Sequence, residues 1–251
     1  MSNLITQPIA ARSIVVRLAA VSLVALATAA CAEEANSQTS GGTASVEVAQ
    51  AETGTDAGSS APVEAPEPQG EVDMDAVLEE GPLPEMALGE EDAPVTIVEY
   101  MSLTCPHCAA FHNETFDALK EKYVDTGQVR FIVRDFPFDP RAAAGAMLAR
   151  CAPEGQYFPM VDMLFEQQST WAAAEDARGA LMQISRMAGF TQESFEACLT
   201  NQELLDDVNA VRQKAAEEFE VQSTPTFLIN GQRYAGNMSI EQMSAIIDGQ
   251  L

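Results

Sequence analysis

Val95-Thr96-Ile97-Val98-Glu99-Tyr100-Met101 runs directly into Ser102-Leu103-Thr104-Cys105-Pro106-His107-Cys108. The first seven residues are mostly β-branched and aromatic and read as a buried strand. Beyond the cysteines, Phe111, Phe116, Leu119 and Tyr123 fall at helical spacing, so the two cysteines open a helix. A strand, a short loop and cysteines at a helix start form an arrangement that activates a thiol. Free N–H groups of the first turn and the positive end of the helix dipole stabilise a thiolate there. Cys105, at the cap, is the candidate nucleophile, and Cys108, one turn further in, suits a buried resolving thiol that attacks a mixed disulfide on Cys105. Pro106 presets the first turn without leaving an N–H unsatisfied, and His107, when protonated, adds positive charge beside the sulfur. Both features favour the reduced form, and a couple whose reduced form is stabilised is an oxidant.

Working outward, Gln128 to Arg134 reads as a second strand that ends in the turn Phe136-Pro137-Phe138-Asp139-Pro140. A helical block follows over about 141–219, with pieces at Ala142–Cys151, Tyr157–Gln168, Ala174–Ala188 and Gln192–Phe219. Met160, Met163, Leu164, Phe165, Trp171, Leu181, Met182 and Met187 recur in it at helical spacing and are expected in the core. Thr226–Ile229 resumes the strand pattern, Asn230-Gly231 signals a hairpin, and Gln232–Ala235 returns as its partner. Ser239 with Gln242 forms a capping box for a closing helix that ends near Asp248.

Glu99 to Cys108, taken with Ser223-Thr224-Pro225-Thr226-Phe227, resembles the DsbA family of thiol:disulfide oxidoreductases. The resemblance covers about residues 85–251, and Cys-Pro-His-Cys is that family's own spelling between the cysteines. It implies an α/β, thioredoxin-like fold with an all-helical insertion. Two further positions carry over. Glu99, six residues before Cys105, matches the buried acid that this family keeps beneath the disulfide, where a carboxyl can take the proton of Cys108. Pro225, preceded by Thr224, matches the family's cis-proline, which lies against the cysteines and whose backbone can pair with a substrate strand. The implied partners are cysteine-containing exported proteins and a DsbB-like, quinone-linked membrane protein that reoxidises the site. The chemistry runs on the two sulfurs, with no cofactor. A reductase or isomerase kept reduced by a membrane electron donor would carry the same cysteines, and a non-catalytic binding or chaperone module could share the scaffold.

The remaining sequence bears on export and charge. Arg12 and Arg17 precede an apolar stretch, Leu18–Ala30, that is too short to span a bilayer and is shaped like a secretory signal. Thr28-Ala29-Ala30-Cys31 resembles a lipoprotein signal box, in which Cys31 would carry the lipid; cleavage after Ala29 or Ala32 is the alternative. Residues 1–31 are therefore expected to be a signal and 84–251 the folded domain. Residues 32–83, rich in Ala, Ser, Thr, Gly, Pro, Gln and Glu, are expected to form a disordered acidic linker. No Lys or Arg occurs between Arg17 and Lys120, and the net charge of −25 argues against nucleic acid as a partner. Of five cysteines, Cys31 goes to lipid or is lost with the signal, and Cys105 and Cys108 form the active pair, so Cys151 and Cys198 are left and are expected to form a structural disulfide in an oxidising compartment, with two buried free thiols as the alternative. A zinc site on Cys105, Cys108 and His112 lacks a fourth ligand, because the only other histidine is His107 within the motif, and no metal is expected. The linker occupies the place of any N-terminal dimerisation module, so a monomer is expected. The setting is periplasm or cell envelope, with a tether through Cys31.

Overall fold

Residues 63–251 are described by a computed structural model; the expected signal, Cys31 and the first part of the expected linker lie outside them. The strands are β1 (Met86–Leu88), β2 (Val95–Met101), β3 (Val129–Asp135), β4 (Thr226–Ile229) and β5 (Gln232–Ala235). They form one sheet in the order β1-β3-β2-β4-β5. Only β2 and β3 are parallel, with Val95 opposite Val129 and Met101 opposite Asp135. The crossover between them is a continuous helical run: α2 (Pro106–Phe111), a π-helical stretch His112–Phe116, α3 (Asp117–Leu119) and a second π-helical stretch Lys120–Val124. The β4–β5 hairpin turns at Asn230 and Gly231, whose φ values of 43° and 89° are those a primed two-residue turn requires.

Between β3 and β4 the chain is entirely helical: α4 (Pro140–Arg150), α5 (Tyr157–Glu166), α6 (Gln168–Trp171), α7 (Ala177–Met187), α8 (Gln192–Leu199) and α9 (Gln202–Glu218). Asp139 caps α4 by accepting from the N–H groups of Arg141 and Ala142, and Asn201 caps α9, which splits the long C-terminal helical pattern in two. The closing helix α10 (Ile240–Asp248) starts at a reciprocal box between Ser239 and Gln242. Met187, expected in the core, is 62% exposed, as the last residue of α7 on its solvent side.

Both faces of the sheet are covered, and the alternation along β2 decides what faces what. Ile97 and Met101 pack with Phe111, Phe116, Phe131 and Phe227 in the core beneath α2. Val98 and Tyr100 point to the other face, against Ala215 of α9 and Phe219 at its C-terminal cap. Glu99 shares the parity of Ile97 and Met101, which puts a carboxyl among aromatic rings, opposite Val133 and Phe227 on the neighbouring strands.

The boundary expected at residue 83 differs from the observed one. Within the stretch read as linker, Gln69 and Val72 donate their N–H groups to the carbonyls of Arg233 and Gly231, and Arg233 donates back to Gly70. A one-turn helix α1 (Met74–Val77) then buries Val77 completely against the α9 side of the sheet. The outer edge of β5 offers unpaired backbone groups, and a polar segment can satisfy them without large side chains of its own.

Candidate active site

Cys105 is the N-cap of α2, in an extended conformation, with Pro106 at the first helical position. Its sulfur is half-buried, while Cys108 is fully buried, and both are free thiols. The Cys108 thiol hydrogen-bonds to the Cys105 sulfur. Together with the N–H groups of Cys108 and His107, this outweighs burial and lowers the Cys105 thiol to about 5. Burial acts the other way on Cys108, and with the bond to Cys105 and the nearby Glu99 charge it pushes that thiol well above the usual range. One sulfur is therefore readily ionised and the other stays protonated, from two environments one helical turn apart. His107 is exposed, and its contribution to the sulfur comes through its backbone N–H.

Two segments close the site from other parts of the chain. The Cys105 thiol donates to the Thr224 carbonyl at 3.2 Å, and the Thr224–Pro225 peptide bond is cis. The loop before Cys105 is held by Thr104, whose hydroxyl donates to Asp139 Oδ2 at 2.6 Å, and by Gln168, whose Nε2 lies 2.9 Å from both the Leu103 and the Cys105 carbonyl.

Beneath α2, Glu99 is fully buried and its Oε2 lies 2.9 Å from Nε2 of His112, whose side chain is 1% exposed. The imidazole stacks on Phe165 at 4.5 Å and lies 4.9 Å from Phe116. Glu99 Oε1 and His112 Nδ1 are buried with no partner among the described residues. The π-helical stretch that begins at His112 widens the helix where the imidazole turns onto β2. Among the described residues, no three His, Cys, Asp or Glu side chains gather to hold a metal.

Of the positions singled out in the sequence, the structure brings together Cys105, Pro106, His107, Cys108, Glu99, Thr224 and Pro225. Cys151 is joined instead to Cys198, with Cα atoms 6.1 Å apart, which ties the end of α4 to α8. In the chain-entropy view a bridge across this 47-residue separation contributes about 4 kcal/mol. Cys31 lies outside the described residues. His112 and Gln168 escaped the sequence reading as site residues. The position of His112 four residues after Cys108 was a usable signal for the first, whereas nothing local marks the second.

A pH consequence follows directly. Alkylation of Cys105 by iodoacetamide is expected to reach half its plateau rate near pH 5, against about 8.5 for an ordinary cysteine. Because the folded value is the lower one, the thiolate stabilises the reduced protein fully above about pH 8.5, and this contribution is lost as pH falls through about 5. The thermal midpoint of the reduced protein should thus fall toward acid more steeply than that of the oxidised protein, and parallel curves would refute the assignment.

A family model described as Thioredoxin matches residues 83–249. The chain is similar to a "Putative protein-disulfide oxidoreductase" of Rickettsia bellii, 33% identical over 165 residues, which cover 65% of this chain and 63% of that protein. It thus spans about three-fifths of the length of the curated Rickettsia relatives it matches. A "Probable disulfide bond formation protein D" of Bacillus cereus is 26% identical over 174 residues, 66% of this chain and 79% of that one. Among solved structures, alpha-DsbA1 of Wolbachia pipientis superposes with a TM-score of 0.62 at 29% identity, covering 67% of this chain and 92% of that chain.

Proposed function

The chain belongs to the thioredoxin family, and from that premise we propose that it is a DsbA-type protein thiol:disulfide oxidoreductase that donates the Cys105–Cys108 disulfide to cysteine-containing exported proteins. The observation that carries the reading is the split between the two thiols: Cys105 ionises near pH 5 while buried Cys108 holds its proton. A couple whose reduced form is stabilised in this way gives up its disulfide readily.

In the forward step a substrate thiolate attacks the Cys105 sulfur of the oxidised site. A substrate–Cys105 disulfide forms, the Cys105–Cys108 bond breaks, and its electron pair leaves on Cys108, which takes up a proton. The second substrate thiolate then attacks its own sulfur in the mixed disulfide, and Cys105 departs as a thiolate held by the first turn of α2. Glu99 lies behind Cys108 and serves as the group that gives and takes the Cys108 proton. The Thr224 carbonyl, at the edge of the site, is the acceptor available to an extended substrate backbone. Two electrons remain on the cysteines after each turnover, and a quinone-linked membrane protein is the class of oxidant that removes them.

The Cys151–Cys198 bond supports an oxidising compartment, periplasm or cell envelope. Tethering through a lipid on Cys31 rests on the signal-like sequence before it, and no helix among the described residues is long and apolar enough to cross a membrane. The head works as a monomer. Equilibration with glutathione buffers tests the direction of transfer. A potential near −120 mV is expected for a disulfide donor, and one near −270 mV would reassign the protein to the reductase reading.

A further inference from the structure

Gln168 ties the helical insertion to the active-site loop by hydrogen bonds. Gln168 opens α6, the single turn between α5 and α7, and its position is fixed by its neighbours. Trp171, three residues on, is fully buried and its indole N–H donates to the Leu164 carbonyl at 2.8 Å. Arg141 of α4 donates to the Ala172 carbonyl at 2.6 Å, just past the end of α6. Gly145 lets α4 come close to this turn: a Cβ there would sit 3.0 Å from Leu103 Cδ1 and 3.4 Å from the Trp171 ring. The elements α4 and α6 therefore lock together against Leu103, and the Gln168 amide is left facing the loop.

That amide donates to the Leu103 and Cys105 carbonyls, both at 2.9 Å. The Cys105 carbonyl already accepts the first α2 hydrogen bond, from Ala109 N at 3.1 Å. A second donor on the same oxygen fixes the rotation of the Cys105–Pro106 peptide plane. That plane fixes ψ of Cys105 and so the placement of its Cβ relative to the N–H groups of His107 and Cys108, which serve the thiolate only from one direction. On the other side of the loop, Thr104 is held by Asp139.

From this geometry we infer that Gln168 is a positioning residue: it holds the Cys105 carbonyl so that the sulfur points at the open end of α2, and thereby makes the nucleophile's ionisation depend on the helical insertion. The inference rests on the reading of Cys105 as the nucleophile. The titratable groups around that sulfur are Cys108 and His107 on its own helix, Glu99 behind Cys108 on β2, and Asp139 through Thr104. Gln168 adds no charge to this set and acts through the backbone alone.

The test is the pH profile of Cys105 alkylation by iodoacetamide in the wild type, in Gln168→Met, which removes both donors at similar length, and in Gln168→Ser, which admits water to the two carbonyls. The midpoint is expected to rise by about one pH unit in either variant, so that alkylation below the wild-type midpoint slows about tenfold. A residue that only stabilised the fold would lower the thermal midpoint and leave the alkylation midpoint where it is. A folded Gln168→Met or Gln168→Ser protein with the wild-type midpoint overturns the inference. A wild-type midpoint near that of ordinary cysteine would instead overturn the reading of Cys105, so the two failures are distinguishable.

Discussion

Cys105→Ser is expected to lower thiol-oxidation turnover at least a thousandfold without loss of the fold. Thiol–disulfide exchange requires a sulfur that can be attacked and can leave, and a serine oxygen does neither at neutral pH; an effect on the order of a thousandfold or more is ordinary for loss of a nucleophile. The position itself tolerates the change. Cys105 is half-buried at the N-cap of α2 and makes no capping bond through its side chain, whereas serine is a favoured cap. Cys108→Ser separates the two roles. With Cys105 still able to enter mixed disulfides and no resolving thiol beneath it, substrate adducts should accumulate and appear on non-reducing gels. Oxidase turnover retained in Cys105→Ser, or adducts absent in Cys108→Ser, would remove the mechanism.

The parts of this site that were legible in the sequence are those whose chemistry is local. A β-branched run ending at a cysteine cap, a proline at the first helical position and an Asn-Gly hairpin each announce their backbone conformation within a few residues, and the strand, helix and turn stand where those signals put them. The buried position of Glu99 was legible only through the family resemblance, as the acid six residues before Cys105, because alternation along a lone strand leaves open which of its faces is covered. For His112 the i, i+4 spacing from Cys108 gave the helix face but not the pairing with Glu99, since a regular helix does not announce where it widens into a π-turn and the pairing occurs at that widening. Gln168 lies 63 residues from Cys105, and its role depends on how Trp171 and Gly145 seat α6. The pairing of residues 69–72 with β5 uses backbone groups, to which composition is blind.

Glu99→Ala is expected to cost about 3 kcal/mol of stability, because it leaves buried His112, packed against aromatic rings, without its hydrogen-bond partner among the described residues. In the proposed cycle it also removes the group that exchanges the Cys108 proton, and collapse of a Cys105–glutathione mixed disulfide by Cys108 should slow about 100-fold, the scale of a lost general base. A single variant confounds the two effects, and an apolar replacement of the pair separates them. Leu at 99 together with Phe at 112 fills the space between Phe116, Phe165 and Phe227 with hydrocarbon, and buried polar pairs replaced in this way commonly lose little stability or gain some. The Glu99→Leu, His112→Phe protein should therefore unfold within about 1 kcal/mol of wild type while its mixed disulfide still collapses slowly and with a steeper dependence on external base. If the double variant recovers both stability and the resolving rate, the pair is a packing device and Cys108 exchanges its proton with water. If only stability returns, the buried carboxyl is the proton acceptor, since Glu99 is the carboxylate whose charge acts on Cys108.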